Sequence, residues 1–590
     1  MTDVLSASSF CHLSLYPRHN FELDGVSVDV VGAIGVLGHR VEEYLRTTTG
    51  PWDRERFRSL HLQVPGIYAV VAQGKHEVVA ATDPYGIVKL FWFQRNGRSL
   101  LTDDPHVLRG ESLELEPEAI KFFIVCGYTP SSHTFFRGLQ KLEPCTVYRI
   151  RNGNIEASEF YADLEGDPLS GTAFLERFHA LLAREIDEEF TYGEAGYLCL
   201  SGGIDSSFLY ELIRSRGMGD RLELVAAQFL GLNQRYPIDN DYDIHYARRL
   251  AAMHGQEVTI ITYDMSADDV LQDFLWLQRQ LFTEYAPAFL YVQLARAIPS
   301  QRFMINGQNA DSILSFGSMG WPRFSGWSIT GLGGLFSRYF YFFGTDFRAS
   351  PMYAIATLLR HLYYRMHYGR GRQDFSQRSL LLGIGLHPEN KFFRPEDPVF
   401  ASVHDAAALG EWFEGAYLDP LVRDHGYLGS HAQAMLLYNR TYMQGSANRS
   451  TVLSFLQQGR QIFLPYTALG LLELMARLKP DWRYAYYGKF PNVAVGRNCL
   501  GLPEFILNRC DPPDSDSTKL LFQCLARNAR FREFAREVFC KADLSRYEGI
   551  LSAPVLDRMK KQQASGELGE WGILMKLLWL ELSFATFQVR

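Results

Sequence analysis

The sequence predicts an α/β chain. An antiparallel β unit over residues 1–165 precedes a doubly wound parallel sheet over 170–590 that runs into a helical C-terminal extension. Three observations predict this. Short apolar runs separated by turn-prone pairs crowd the first 165 residues. Strand-like and helix-like segments then alternate from about 172 to 262. From about 320 onward the pattern is mostly helical.

The elements follow in order. Apolar runs at 66–71 (GIYAVV), 77–82 (EVVAAT), 88–93 (VKLFWF) and 98–101 (RSLL) read as strands of hairpins. Gln73-Gly74 and Asn96-Gly97 mark their turns, because glycine adopts positive φ without steric cost. A helix is expected at about 117–126, then a strand at 145–150, a turn at Arg151-Asn152-Gly153 and a linker near 163–171. A helix over about 172–190 opens the second part. Strands at 197–200, 222–229 and 257–262 alternate with helices from about Asp205 and over about 243–254. The apolar run 571–587, interrupted by Lys576 and Glu581, reads as an amphipathic or core helix.

Composition bounds the function. At 590 residues the chain exceeds one compact domain, and 47% hydrophobic with 21% charged residues is ordinary globular usage. A net charge of -7 argues against a general nucleic-acid partner. No basic, apolar leader and no uncharged run of about 18 residues is present, so neither signal peptide nor membrane span is read. The expected location is therefore cytoplasmic. The eight cysteines are scattered without a paired motif and read as free thiols.

The segment YLCLSGGIDSSFLYELIRS (197–215) carries the chemistry. An apolar strand enters Ser201-Gly202-Gly203-Ile204-Asp205-Ser206-Ser207, and a helix follows. Two glycines let the backbone approach phosphate oxygens, and the helix start offers unpaired N–H groups at its positive dipole end. The hydroxyls of Ser201, Ser206 and Ser207 add donors. Asp205 alone would repel phosphate, so its presence implies a bridging Mg²⁺.

This loop resembles the pyrophosphate loop of the N-type ATP pyrophosphatases, which cleave ATP to AMP and pyrophosphate. Within that class, RFMINGQNADSIL (302–314) and DIHYAR (243–248) resemble asparagine synthetase segments. The resemblance implies ATP and Mg²⁺ as cofactors, with Asp311 as second metal ligand opposite Asp205. It places Gly307 toward the pyrophosphate and Leu200 and Gln228 beside the adenosine. Residues 66–71, Asp83-Pro84-Tyr85-Gly86, Leu90-Phe91-Trp92 and 126–144 resemble the family's N-terminal glutaminase domain. The resemblance thus implies a degenerate glutaminase-like, Ntn-type β-sandwich over 1–165 and an adenylating domain over 170–590.

Departures narrow the expectation. The family's nucleophilic cysteine stands at a processed N-terminus, whereas here Met1 precedes Thr2 and the nearest cysteine is Cys11. The glutamine-binding segments are absent, so a vestigial glutaminase is expected. The chain then resembles two offshoots, the β-lactam and carbapenam synthetases and the lasso-peptide cyclases. Gln308 stands where asparagine synthetase has Glu and β-lactam synthetase has Tyr; it hydrogen-bonds but is no base near pH 7. LPEFILNR (502–509) matches the lead-in to a family lysine, but Asp511 stands at that lysine's place. Lys519 is the nearer substitute and Lys489 the more distant one.

The expected activity is an ATP-dependent, AMP-forming amide synthetase. It adenylates a substrate carboxylate and couples it to an amine without glutamine hydrolysis, in specialised metabolite biosynthesis. Carboxylate and amine substrates, a peptide among them, are the expected partners, with a homodimer left open. Three readings compete: a lasso-type macrocyclase, a nucleotide-binding scaffold without turnover, and an RNA-modifying adenylase. The stretch 334–372 bears on these. It sets Arg338, Arg348, Arg360, Arg365, Arg370 and Arg372 against the single acid Asp346, with aromatics between, and suits an anionic or peptide groove as well as an amphipathic helix.

Overall fold

The computed structural model describes residues 11–169, 171–192, 196–230, 239–285, 288–299, 302–315, 400–428, 430–444, 446–478, 489–509 and 517–589. The arginine-rich stretch 334–372 and Asp511 lie outside them.

Two sheets form before residue 161. One runs β11-β10-β5-β4-β3-β2, antiparallel throughout, from β2 (Arg18–Leu23), β3 (Val26–Val31), β4 (Ala69–Gln73), β5 (Glu77–Ala81), β10 (Thr146–Arg151) and β11 (Asn154–Phe160). The other runs β1-β7-β6-β9, from β1 (Cys11–His12), β6 (Phe91–Arg95), β7 (Arg98–Thr102) and β9 (Leu139–Lys141). Three hairpin turns, at Asp24-Gly25, Asn96-Gly97 and Asn152-Gly153, hold both central residues at positive φ. This is the twist that suits a two-residue hairpin.

The expectation of a single helix in this part needs correction. Helices α1 (Val36–Thr47) and α2 (Arg54–Gln63) accompany the sheets, beside the expected α3 (Pro117–Cys126). Buried arginines hide α1 and α2 from an apolar-period reading. Arg40 and Arg56 sit at core-facing positions, and the Arg56 guanidinium donates to the Gly50, Leu45 and Thr48 carbonyls.

The alternating segments form a five-stranded parallel sheet in the order β14-β13-β12-β15-β16. Its strands are β12 (Gly196–Cys199), β13 (Leu222–Leu230), β14 (Val258–Asp264), β15 (Phe303–Ile305) and β16 (Ile462–Phe463). After α4 (Gly171–Tyr192), the chain winds outward from β12 through α5 (Ile204–Ser215), β13 and α6 (Asp239–Ala252) to β14. It returns through α7 (Val270–Leu281) and α8 (Phe289–Ala297) to place β15 on the other side of β12. The strand order therefore reverses between β12 and β15, and the crevice at such a reversal is where α/β sheets bind ligands. The described residues after 400 are mostly helical, as expected. Helix Trp571–Phe584 is a core element, with Trp579 fully buried and its indole N–H donating to the Phe282 carbonyl.

Buried charge stitches the early sheets to the later helices. Arg449 is wholly buried, pairs with Glu284 at 2.6 Å and donates to the Gln280 and Leu281 carbonyls. Lys89 Nζ donates to Gln444 Oε1 at 2.6 Å, and burial pushes its ammonium down to about 8.

A second charged seam joins α1 to α4. Arg40 lies 3.7 Å from Glu189, whose other oxygen accepts from Gln461 Nε2 at 2.9 Å. Burial pushes the Glu189 carboxyl up to about 7 from an ordinary value near 4.5. The folded state therefore holds a proton that the unfolded state releases, and this contribution to stability is lost as pH rises from about 4.5 to about 7. Glu189→Gln is expected to melt lower relative to wild type at about pH 5 than at about pH 8. Thermal scans of both proteins at the two pH values check this; parallel pH profiles would contradict it.

Candidate active site at the strand-order reversal

Loop 201–207 leaves the C-terminal end of β12, and segment 306–311 leaves the C-terminal end of β15. Because these strands are neighbours, two segments a hundred residues apart meet over the crevice.

The first loop is built by glycine and serine. Gly202 has φ 70°, and a Cβ there would stand 2.6 Å from Tyr246 Cβ and 2.7 Å from both the Ala247 nitrogen and the Asp243 oxygen. Only glycine allows the loop to rest on α6 this closely. Ser206 Oγ accepts from the Ser201 N–H at 3.1 Å, stands 3.0 Å from Ser201 Oγ and donates to the Gly203 carbonyl at 3.3 Å. Gly203 begins α5 without a side-chain cap, which leaves the first helical N–H groups for an incoming anion. Ser207 Oγ is buried and has no hydrogen-bond partner among the described residues.

The second segment is fixed by asparagines. Asn309 takes φ 76°; its Nδ2 donates to the Tyr466 carbonyl and its Oδ1 accepts from Asn448 Nδ2, both at 2.8 Å. Gly307 packs against the start of α5, where a Cβ would come within 3.4 Å of the Ser206 nitrogen. Gln308 turns its Oε1 to the Tyr291 hydroxyl at 3.0 Å.

Asp205 and Asp311 converge on one cation, the ammonium of Lys489, at 2.7 and 2.6 Å. Asn492 Nδ2 donates to the other Asp205 oxygen at 2.8 Å. Burial pushes the Asp205 carboxyl up, Lys489 pulls it down, and the Asp311 charge opposes ionisation again. Lys489 immediately precedes helix Phe490–Val495, whose start brings it and Asn492 to the crevice. The lysine that reaches the carboxylates is thus the one farther in sequence from Asp511. Lys519 lies on helix Ser517–Arg527, and its side chain is outside the described residues.

Two further residues complete the site. Arg509, the last residue of the LPEFILNR lead-in, pairs with Asp243, donates to the Ser201 carbonyl at 3.3 Å and lies over the Tyr246 ring. It locks the segment before Asp511 onto both the serine loop and α6. Neither Arg509 nor Asn492 was singled out by sequence; the match of 502–509 was the available signal for the arginine.

Gln228 lines an open cleft of about 500 Å³ with Ile244, His245, Arg248, Arg249 and Ile260. Leu200 instead is fully buried, with its N–H donating to the Val225 carbonyl at 2.8 Å. It sits beneath the loop rather than in the cleft wall.

Cys11 lies on β1, beside Leu101 of β7. Burial, reinforced by the Asp29 and Asp103 carboxylates, pushes its thiol up to about 12. A nucleophilic cysteine needs the opposite environment. No helix among the described residues is long and apolar enough to cross a membrane.

No curated protein matches this chain. The family model described as asparagine synthase matches residues 196–583, a span that starts with β12 and takes in both crevice loops, Lys489 and Arg509. Matched over well more than half its length, the chain belongs to the asparagine synthase family, whose members are ATP-dependent, amide-forming ligases.

Proposed function

We propose that this chain adenylates a substrate carboxylate with ATP, releases pyrophosphate and couples the acyl group to an amine without hydrolysing glutamine. The observation that carries this reading is the convergence of Asp205 and Asp311 on one cation beside the uncapped start of α5. The lysine ammonium between them is a stand-in for a metal, so this donor pair fits Mg²⁺. Bound there, Mg²⁺ supplies positive charge against the phosphates.

The chain's own groups account for the rest. The N–H groups at the start of α5 and the hydroxyls of Ser201, Ser206 and Ser207 receive the β- and γ-phosphates, and Gln228 borders the adenosine cleft. A substrate carboxylate oxygen attacks the α-phosphorus, and the bond to the bridging oxygen breaks with that electron pair leaving on pyrophosphate. The amine nitrogen then attacks the acyl carbon, loses a proton and expels AMP. Holding both reactants in one crevice supplies much of the rate. Displaced from the two carboxylates by Mg²⁺, Lys489 remains at the crevice to supply the positive charge that Asp511 denies at the family's usual position.

In this reading residues 1–165 are a degenerate glutaminase-like, Ntn-type unit and 170–590 the adenylating domain. The raised Cys11 thiol supports a unit without glutaminase chemistry. The enzyme works on ammonia or on an amine of its substrate, as in specialised metabolite biosynthesis.

ATP–pyrophosphate exchange with Mg²⁺ tests the proposal, run against pooled amino acids, aliphatic acids and short peptides, each with ammonium or with glutamine. Exchange in one pool is expected, without glutamate release from glutamine. Silence in every pool, with ATP binding shown separately, would replace the proposal with a nucleotide-binding protein that does not turn over.

A further inference from the structure

The edge strand of the six-stranded sheet carries a cluster that the adenylating chemistry does not use. α1 lies directly on His19 of β2. A Cβ at Gly38 would stand 2.7 Å from His19 Cβ and 2.8 Å from its Cγ, so the helix reaches this imidazole only because residue 38 is glycine. His39 follows in the first turn of α1 and Glu42 stands one turn on, so both flank His19.

The three side chains present their ligand atoms to one point. His19 Nε2 is 2.7 Å from Glu42 Oε2, and His39 Nδ1 is 3.9 Å from the same oxygen. All three ligand atoms lie within 4.8 Å of one another. The two imidazoles meet edge-on at 73°, with centroids 4.6 Å apart. Zinc bonds of about 2.0–2.1 Å in a tetrahedron set ligand atoms about 3.3 Å apart, midway between the two spacings observed. Arg46 holds the remaining Glu42 oxygen at 2.8 Å, which fixes the carboxylate's orientation and leaves Oε2 to the cluster.

We propose that His19 Nε2, His39 Nδ1 and Glu42 Oε2 bind a Zn²⁺ ion that clips α1 to the edge strand β2, with the fourth coordination position open to solvent. Two imidazoles and one carboxylate suit zinc rather than magnesium or calcium. The clip lies on an N-terminal sheet, and its occupancy does not depend on adenylation.

Zinc titration of the chelator-treated full chain tests this, with excess Mg²⁺ present to occupy the Asp205–Asp311 pair. Wild type is expected to take one more equivalent of Zn²⁺ than His39→Ala, or to bind it at least about tenfold more tightly. That equivalent should raise the melting temperature of wild type only. His39 is 73% exposed, so its loss leaves the packing intact. Glu42→Gln should lose the same equivalent. Co²⁺ should give the visible bands of a four-coordinate ion in wild type and not in either variant. Equal stoichiometry and affinity in wild type and His39→Ala would overturn the site, whatever the exchange assay shows.

Discussion

Asp205→Asn abolishes pyrophosphate exchange while the protein remains folded. The loss is expected to reach at least about 10²–10³-fold, the scale of removing one preorganised electrostatic group from a site that stabilises developing charge. The fold survives because Asp205 stands in the first turn of α5 and burial already opposes its ionisation, so a neutral isostere relieves a cost. A binding readout separates this from general damage. Wild-type ATP affinity should rise with Mg²⁺, and that of the variant should not. An Asp205→Asn protein that still forms AMP, or still shows magnesium-dependent ATP binding, would place the site elsewhere.

Lys489→Met is expected to reduce exchange by a similar factor and, unlike Asp205→Asn, to destabilise the ligand-free protein. Its ammonium is shared between two carboxylates, one of them largely buried. Removing it leaves those charges facing each other, at a cost on the order of 1–3 kcal/mol given that Asp311 remains solvated. Added Mg²⁺ should then raise the melting temperature of Lys489→Met more than that of wild type, because in wild type it must displace the lysine. Equal responses to Mg²⁺ would show that lysine and metal do not compete for one place. Unchanged exchange in Lys489→Met would transfer the role of the missing family lysine to Lys519.

The serine loop was legible in sequence because its chemistry is local. Strand, glycines, hydroxyls and helix start all fall within residues 197–215, and the structure sets the strand and the helix start one residue earlier than expected. The segment at Gly307 and Asp311 was legible through its resemblance to an asparagine synthetase segment. Lys489 was named only as the more distant candidate, since 284 positions separate it from Asp205 and only the fold brings them together. Sequence proximity to Asp511 favoured Lys519 instead. β16 escaped notice because two residues show no alternation, although Ile462 and Phe463 extend the parallel sheet. Helices α1 and α2 escaped because buried Arg40 and Arg56 interrupt the apolar period, their charge satisfied by partners a sequence pattern cannot reveal.

The short strand Gln588–Val589 pairs in parallel with Ser112–Leu113. Ser112–Leu113 thus waits for a segment made about 476 residues later before its backbone partner exists. Contacts of such separation slow folding, because a very long loop must close before the pairing repays it. The early sheets must meanwhile persist with Ser112–Leu113 lacking that strand, a state open to pairing with another molecule. The yield of native protein should therefore depend on how quickly the nascent chain is completed and how dilute it is kept.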